Sequence, residues 1–208
     1  MTEQHDRERH NEARARALEA LLIEKGVITG TTVDTVLDFF KHEMGPFNGA
    51  KIVARAWSDR AYKQRLLDNT PAAIAELNLP AGMAGAEGEH MKAVANAPGV
   101  HNLVICTLCS CYPWPVLGLP PYWFKDPTFR ARAAREPRQV LKEFGLLLDD
   151  ATEVRVWDSS AQIRWFVVPE RPAGTEGMSE DELAALVTPE AMIGTEIVAA
   201  PAFAARWA

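Results

Sequence analysis

The chain has 208 residues and a mass of 23.0 kDa, with 48% hydrophobic and 24% charged residues, enough to bury one substantial core and too apolar for a disordered chain. A net charge of -6 provides no basic footprint, which speaks against nucleic acid or an anionic membrane surface as a partner. No apolar run reaches the ~20 residues that span a bilayer, and the charged start MTEQHDRERHNEARARALEALL lacks the apolar segment and cleavage site of a secretory signal, so a cytoplasmic location is expected.

In chain order, Leu18, Leu21 and Leu22 stand at helical spacing, and Gly26 follows where a C′ glycine belongs. Thr31 and Thr32 are cap candidates for a second helix with the stripe Val33, Val36, Leu37 and Phe40, closed by Gly45-Pro46. KIVARAW and DRAYKQRLL read as shorter helices, the second capped by Asp59, and Thr70-Pro71 opens another with proline at the first helical position. These short amphipathic helices must bury their faces on something else, such as another subunit. The glycine-rich LPAGMAGAEGE then marks a boundary near residue 80. HMKAVANA and HNLVICTL read as strands, and the prolines at 113, 115, 120 and 121 predict a stiff segment outside regular structure. Asp126-Pro127 caps a helix over TFRARAARE, and PRQVLKEFG forms the next, ending at Gly145. EVRVW and QIRWFVV flank Asp158-Ser159-Ser160-Ala161 and predict a β-hairpin. Ser179 and Glu182 form a capping box ahead of Leu183, Leu186 and Val187. The expectation is an α+β protein: a helical N-terminal arm over 1–80, followed by a layered α/β globular domain over 81–208.

All three cysteines, Cys106, Cys109 and Cys111, fall within VICTLCSCYPWP. They cannot all pair within the chain, and a single intervening residue is too short a span for an ordinary disulfide between Cys109 and Cys111. A structural zinc site would draw its fourth ligand from His101 or His90, but Cys109-x-Cys111 leaves little freedom for tetrahedral angles. A redox Cys-x-x-Cys normally opens a helix, and the prolines after Cys111 oppose a regular one. Three inert buried thiols are the plain alternative. A further reading uses the backbone: with a metal on both thiolates, the amide nitrogens of Ser110 and Cys111 close chelate rings to the sulfurs of Cys109 and Cys111. Those four atoms make an N2S2 plane with Cys106 axial and the opposite position open. Deprotonated amides require a strongly Lewis-acidic ion, which suits low-spin cobalt or iron better than zinc.

VICTLCSCYPWPVLGLPPYW resembles the metal-binding signature of the nitrile hydratase alpha subunit. The likeness extends through VHN before it, through PRQVLKEFGL, VRVWDSS and VPERPAGTEGMSEDELAALVT after it, and through LLIEKG and GPFNGAKIVARAW upstream. The gamma subunit of thiocyanate hydrolase shares the signature. The resemblance implies a catalytic alpha subunit that hydrates small nitriles to amides at a non-redox metal centre. It implies Cys106 as the unmodified axial thiolate, Cys109 as the sulfinic acid, Cys111 as the sulfenic acid, and the backbone nitrogens of Ser110 and Cys111 as the remaining ligands. Thr107 resembles the cobalt-type version, so cobalt(III) is expected in preference to iron(III). Cys111, as the sulfenate, and Ser110, through its hydroxyl, are the catalytic candidates; Trp114, Tyr112 and Glu87 are the substrate-pocket candidates, with Glu87 standing where some members carry glutamine. Tyr112 and Trp123 could line the pocket but read rather as core aromatics beside a rigid loop. Asp158 could join a hydrogen-bond network behind the site but reads rather as a turn residue; His90 and His101 read as strand-end or surface histidines rather than metal ligands. Arg130, Arg132 and Arg135 read as a solvated helix face, whereas the family supplies the arginines that pair with the oxidised sulfurs from its beta subunit. An αβ pair doubled to α2β2, loaded by a metal-insertion activator protein, is therefore implied. The competing class is a structural zinc or interaction module.

Overall fold

In a computed structural model of the chain, which describes residues 2–42, 44–79, 91–108 and 111–201, the first helices follow their end signals. Helix α1 (Thr2–Glu24) stops at Gly26, whose φ of 66° allows Val27 N to donate to Leu22 O at 2.9 Å. Helix α2 (Gly30–His42) is capped by Thr29 rather than by Thr31 or Thr32: its hydroxyl accepts from Thr32 N at 3.1 Å. Residues Met1–His42 form one compact unit and Glu43–Ala208 another. In the first, Leu18, Leu21, Ile23, Val27, Val36 and Leu37 are exposed; the side chain of Phe40 lies outside the described residues.

The second unit begins with α3 (Pro46–Ser58), α4 (Arg60–Asp68) and α5 (Thr70–Ala75). Asp59 accepts from Tyr62 N at 3.0 Å as the cap of α4, and Asn69 from Ala72 N at 3.3 Å as that of α5. Ile52, Val53, Ala56, Tyr62, Leu66, Ala73 and Ile74 from these helices belong to the main core cluster. The compact division thus falls near residue 42, with helices ahead of residue 80 packed into the second unit; residues 80–90, with the expected boundary, Glu87 and His90, lie outside the described residues.

Four strands follow the sequence signals, but their pairing does not. Strands β1 (Met91–Ala95) and β4 (Arg164–Val168) pair in parallel, as do β2 (Val100–Ile105) and β3 (Glu153–Asp158). The predicted hairpin between β3 and β4 is therefore wrong: each strand lies beside a partner from the first strand pair. The linker lacks the glycine or asparagine that a tight hairpin turn demands. Phe166, Val167 and Val168 are instead buried in succession, the continuous apolar run typical of parallel strands covered on both faces. Ser159 N extends the β2–β3 ladder by donating to Ile105 O at 2.8 Å, and Ser159 Oγ accepts from Trp165 N at 3.1 Å.

Strand β2 divides its side chains by the two-residue period of a strand. Leu103 and Ile105 enter a small cluster with Ala133, Val140 and Leu141, while Val104 and the following Cys106 enter the main cluster. The small cluster is built by α8 (Pro127–Arg135) and α9 (Pro137–Glu143), with the predicted Asp126 cap in place. The proline-rich stretch holds two short helical turns, α6 (Trp114–Leu117) and α7 (Tyr122–Lys125), which were not expected; Pro115 sits in the first turn of α6, where no N–H is needed. Helices α10 (Glu180–Ala184), with its capping box, and α11 (Pro189–Ile193) complete the unit.

Two glycines permit close approaches that position these parts. A Cβ on Gly49 of α3 would stand 2.4 Å from Val116 O of α6 and 2.6 Å from Met192 Sδ. Gly194, at φ 92°, ends α11 where a Cβ would stand 1.9 Å from Asn102 O of β2. Both are backbone-on-backbone contacts that no rotamer change relieves. Gly49→Ala is therefore expected to destabilise the chain by about 1–3 kcal/mol, as overpacking does, read as a lower midpoint in urea unfolding; Gly194→Ala, which adds positive-φ strain, is expected to cost more.

Candidate metal centre

Strand β2 hands the chain directly to Cys106, which is fully buried, and the chain returns to the core at Cys111, 9% exposed. Between them Thr107 and Leu108 stand in solvent, Leu108 at 82%. Cys109 and Ser110 lie outside the described residues. Both terminal thiols belong to the same apolar cluster, so the loop starts and ends in one low-dielectric region. Soft sulfur donors held there fit a transition ion rather than magnesium or calcium. Among the described residues, no three His, Cys, Asp or Glu side chains gather as a metal site.

The ends of the loop are fixed by different means. At its start, Asp158 faces Ile105 across the β2–β3 register and accepts twice from the next loop residue, from Thr107 N at 2.9 Å and Thr107 Oγ1 at 2.5 Å. These are hydrogen bonds to a carboxylate, among the stronger kinds. At its end, Tyr112 is buried, meets Phe124 edge-on with centroids 4.9 Å apart, and its hydroxyl is pushed well above the usual tyrosine value by burial. Trp114 N then donates to Tyr112 O at 2.8 Å, and α6 packs onto Gly49.

A scan against family models matches residues 9–196 to "Nitrile hydratase, alpha chain". This chain belongs to the nitrile hydratase alpha-chain family. It is 53% identical over 185 residues to the cobalt-containing nitrile hydratase subunit alpha of Pseudonocardia thermophila, covering 88% of this chain and 89% of that one. It is 38% identical over 188 residues to the thiocyanate hydrolase subunit gamma of Thiobacillus thioparus, covering 87% and 77%. Among solved structures, a double mutant of the Fe-type nitrile hydratase from Comamonas testosteroni Ni1 superposes with a TM-score of 0.80 at 40% identity, covering 93% of this chain and 96% of that one. A recombinant thiocyanate hydrolase with partially modified cobalt centres superposes at 0.74 with 36% identity, covering 90% and 89%.

Within this family member, the residues singled out from sequence fall in different places. Cys106, Cys111, Tyr112 and Trp114 share the main core cluster or pack against it, Trp114 half-buried; Glu87 lies outside the described residues. Trp123 packs edge-on against Phe124, Phe129 and Phe144, in keeping with its reading as a core aromatic. Arg132 is paired with Glu143, joining α8 to α9, and Arg135 Nε donates to Ala131 O at 3.2 Å within α8.

Two residues hold roles beyond those expected from the sequence pattern. Asp158 is the last residue of a strand, gripping the loop, and not the tip of a hairpin; only the β2–β3 register could reveal that. His101 is not a surface histidine: it is 3% exposed, with Nε2 donating to Gly194 O at 2.7 Å. The sequence signal was present, since His101-Asn102 interrupts an otherwise apolar strand.

Asp158→Ala is expected to lower stability by about 1.5 kcal/mol, the lower end of the range for charged hydrogen bonds because the carboxylate is exposed; urea unfolding measures it. A second expectation concerns pH. Burial pulls the His101 imidazole below its ordinary value of 6.5, against the hydrogen bond to Gly194 and the charge of Glu170. The unfolded chain therefore takes up a proton near 6.5 that the folded chain resists, so this contribution is complete above 6.5 and is lost as pH falls below it. Unfolding midpoints measured from about pH 8 to about pH 5 should decline, with a flatter slope in His101→Gln.

Proposed function

We propose that this chain is the metal-bearing, catalytic alpha subunit of a nitrile hydratase, converting small nitriles to amides. The observation that carries the reading is the burial of Cys106 and Cys111 in one apolar cluster at the two ends of a six-residue loop that contains the third cysteine. Cys106, Cys109 and Cys111 hold the ion through sulfur, with the backbone nitrogens of Ser110 and Cys111. Cobalt(III) is the proposed ion, in keeping with Thr107 and with the cobalt-containing relative. When bound, it supplies a Lewis-acidic open position that polarises a nitrile or a water without redox change.

The chain's own groups then divide the work. Cys109 as sulfinate and Cys111 as sulfenate carry negative charge in a partly buried setting, and such charge needs paired cations. Arg132 pairs with Glu143 of α9 and Arg135 bonds within α8, so the partner beta subunit is assigned the arginines. Either the sulfenate oxygen of Cys111 or a water oriented by the Ser110 hydroxyl attacks the nitrile carbon, and a single turnover in 18O-labelled water separates the two. Trp114, braced by Tyr112, forms a pocket wall, with Glu87 as a hydrogen-bonding candidate. Exposed apolar side chains on α1 and α2 fit an arm that docks on the beta subunit. The assembly proposed is a cytoplasmic α2β2 particle loaded by a metal-insertion activator protein.

The chain co-expressed with its beta subunit and cobalt is expected to carry about one cobalt per chain. Intact-peptide mass spectrometry should show additions of about 32 and about 16 Da on Cys109 and Cys111. Cys106→Ala, Cys109→Ala and Cys111→Ala should each abolish metal retention and acrylonitrile hydration. Zinc with three unmodified cysteines would sink the reading, and turnover of thiocyanate in place of acrylonitrile would move the chain to the thiocyanate hydrolase branch, where the 38% relative lies.

A further inference from the structure

Behind the cysteine loop, three buried polar residues form a chain of hydrogen bonds whose direction is determined at both ends. Gly194 O can only accept, so His101 Nε2, 2.7 Å away, carries the imidazole proton. His101 Nδ1 is then an acceptor, and it faces Asn96 Nδ2 at 3.4 Å. That turns Asn96 Oδ1 toward Asn102, where it accepts from Asn102 N at 2.8 Å and from Asn102 Nδ2 at 2.9 Å. The second hydrogen of Asn102 Nδ2 goes to Ala95 O at 2.8 Å. Asn102 Oδ1 accepts from Trp157 Nε1 at 2.7 Å, and an indole nitrogen can only donate. No amide in this chain can flip without setting donor against donor or acceptor against acceptor.

The network spans the parts that deliver the loop. Asn96 and Ala95 belong to the end of β1, His101 and Asn102 to β2, Gly194 to the end of α11, and Trp157 to β3. Trp157 also lies against Trp165 of β4, ring centroids 4.5 Å apart. It immediately precedes Asp158, and successive strand side chains face opposite ways, so holding the indole from one side sets the backbone that aims Asp158 at Thr107 from the other. The Asn102 side chain bonds both to Ala95 at the end of β1 and to Trp157 of β3.

We propose that Asn102 is a positioning residue for the cysteine loop: through Trp157 it sets β3 against β2 so that Asp158 meets Thr107 beside Cys106. His101 acts behind it by orienting Asn96. The importance of this for catalysis rests on the metal-centre reading above, but the positioning itself is measurable without metal.

The test is amide hydrogen exchange at Thr107 in the full, cobalt-free chain, followed by NMR, with Asp158→Ala as the reference for a lost clamp. Trp157→Phe removes the indole N–H while retaining a stacked ring, and Asn102→Ala removes the hub. Each is expected to raise Thr107 exchange about tenfold or more, toward the Asp158→Ala rate. Ile74→Val, a core truncation on α5, should lower thermal stability and leave Thr107 exchange unchanged. If Asn102→Ala does not fold, Trp157→Phe decides alone. Thr107 exchange at the unaltered rate in Trp157→Phe, or an equal rise in Ile74→Val, overturns the proposal. Cobalt uptake by the unaltered chain with its beta subunit is scored separately, so failure of the metal reading is told apart from failure of the positioning.

Discussion

The burial of β2 on both faces is the constraint on which the rest depends. Leu103 and Ile105 are committed to one cluster, Val104 and Cys106 to another. A slip of one residue would exchange the two sets and place His101 or Asn102 in an apolar environment without partners. The strand therefore has one register, and Cys106 has one position. Everything attached to β2 inherits that definition, including the Asp158 grip on Thr107 and the close seat of Gly194 against Asn102.

A rigid strand on one side and a short helical turn on the other enclose a loop that carries exposed residues. Such a layout suits a site whose ligands must be exact and whose open position must be reachable. It also explains why glycine occupies position 49: α3 approaches the backbone of α6 too closely for any side chain, and α6 is the element that anchors the loop's exit. The polar interior adds directionality that apolar packing lacks. A hydrophobic core tolerates small rotations, whereas the hydrogen bonds from Gly194 to Trp157 accept one arrangement of donors and acceptors.

Much of the local structure was legible because its causes are local. Caps at Asp59, Asp126 and Ser179 act within one turn of their helix, and alternation or apolar runs marked all four strands. Strand pairing is not legible locally: β3 and β4 are close in sequence, which suggests a hairpin, but the linker lacks the turn chemistry for one. The role of Asp158 is hidden for the same reason: its partner, Thr107, lies at the exit of a different strand. His101 and Asn102 were visible as polar interruptions, but only the arrangement of β1, β3 and α11 around them supplied partners.

By itself the sequence determined the chemistry on offer: three cysteines within six positions, a threonine between the first pair, and a family signature running the length of the chain. Donor identity and short-range spacing are covalent facts, so no folding is needed to read them. Tertiary structure alone decided which strands pair, that Cys106 and Cys111 share one apolar cluster, and that Asp158 reaches the loop. The pairings and the Asp158 contact join residues roughly fifty to seventy positions apart, and nothing in a linear pattern specifies which distant partner completes a buried face.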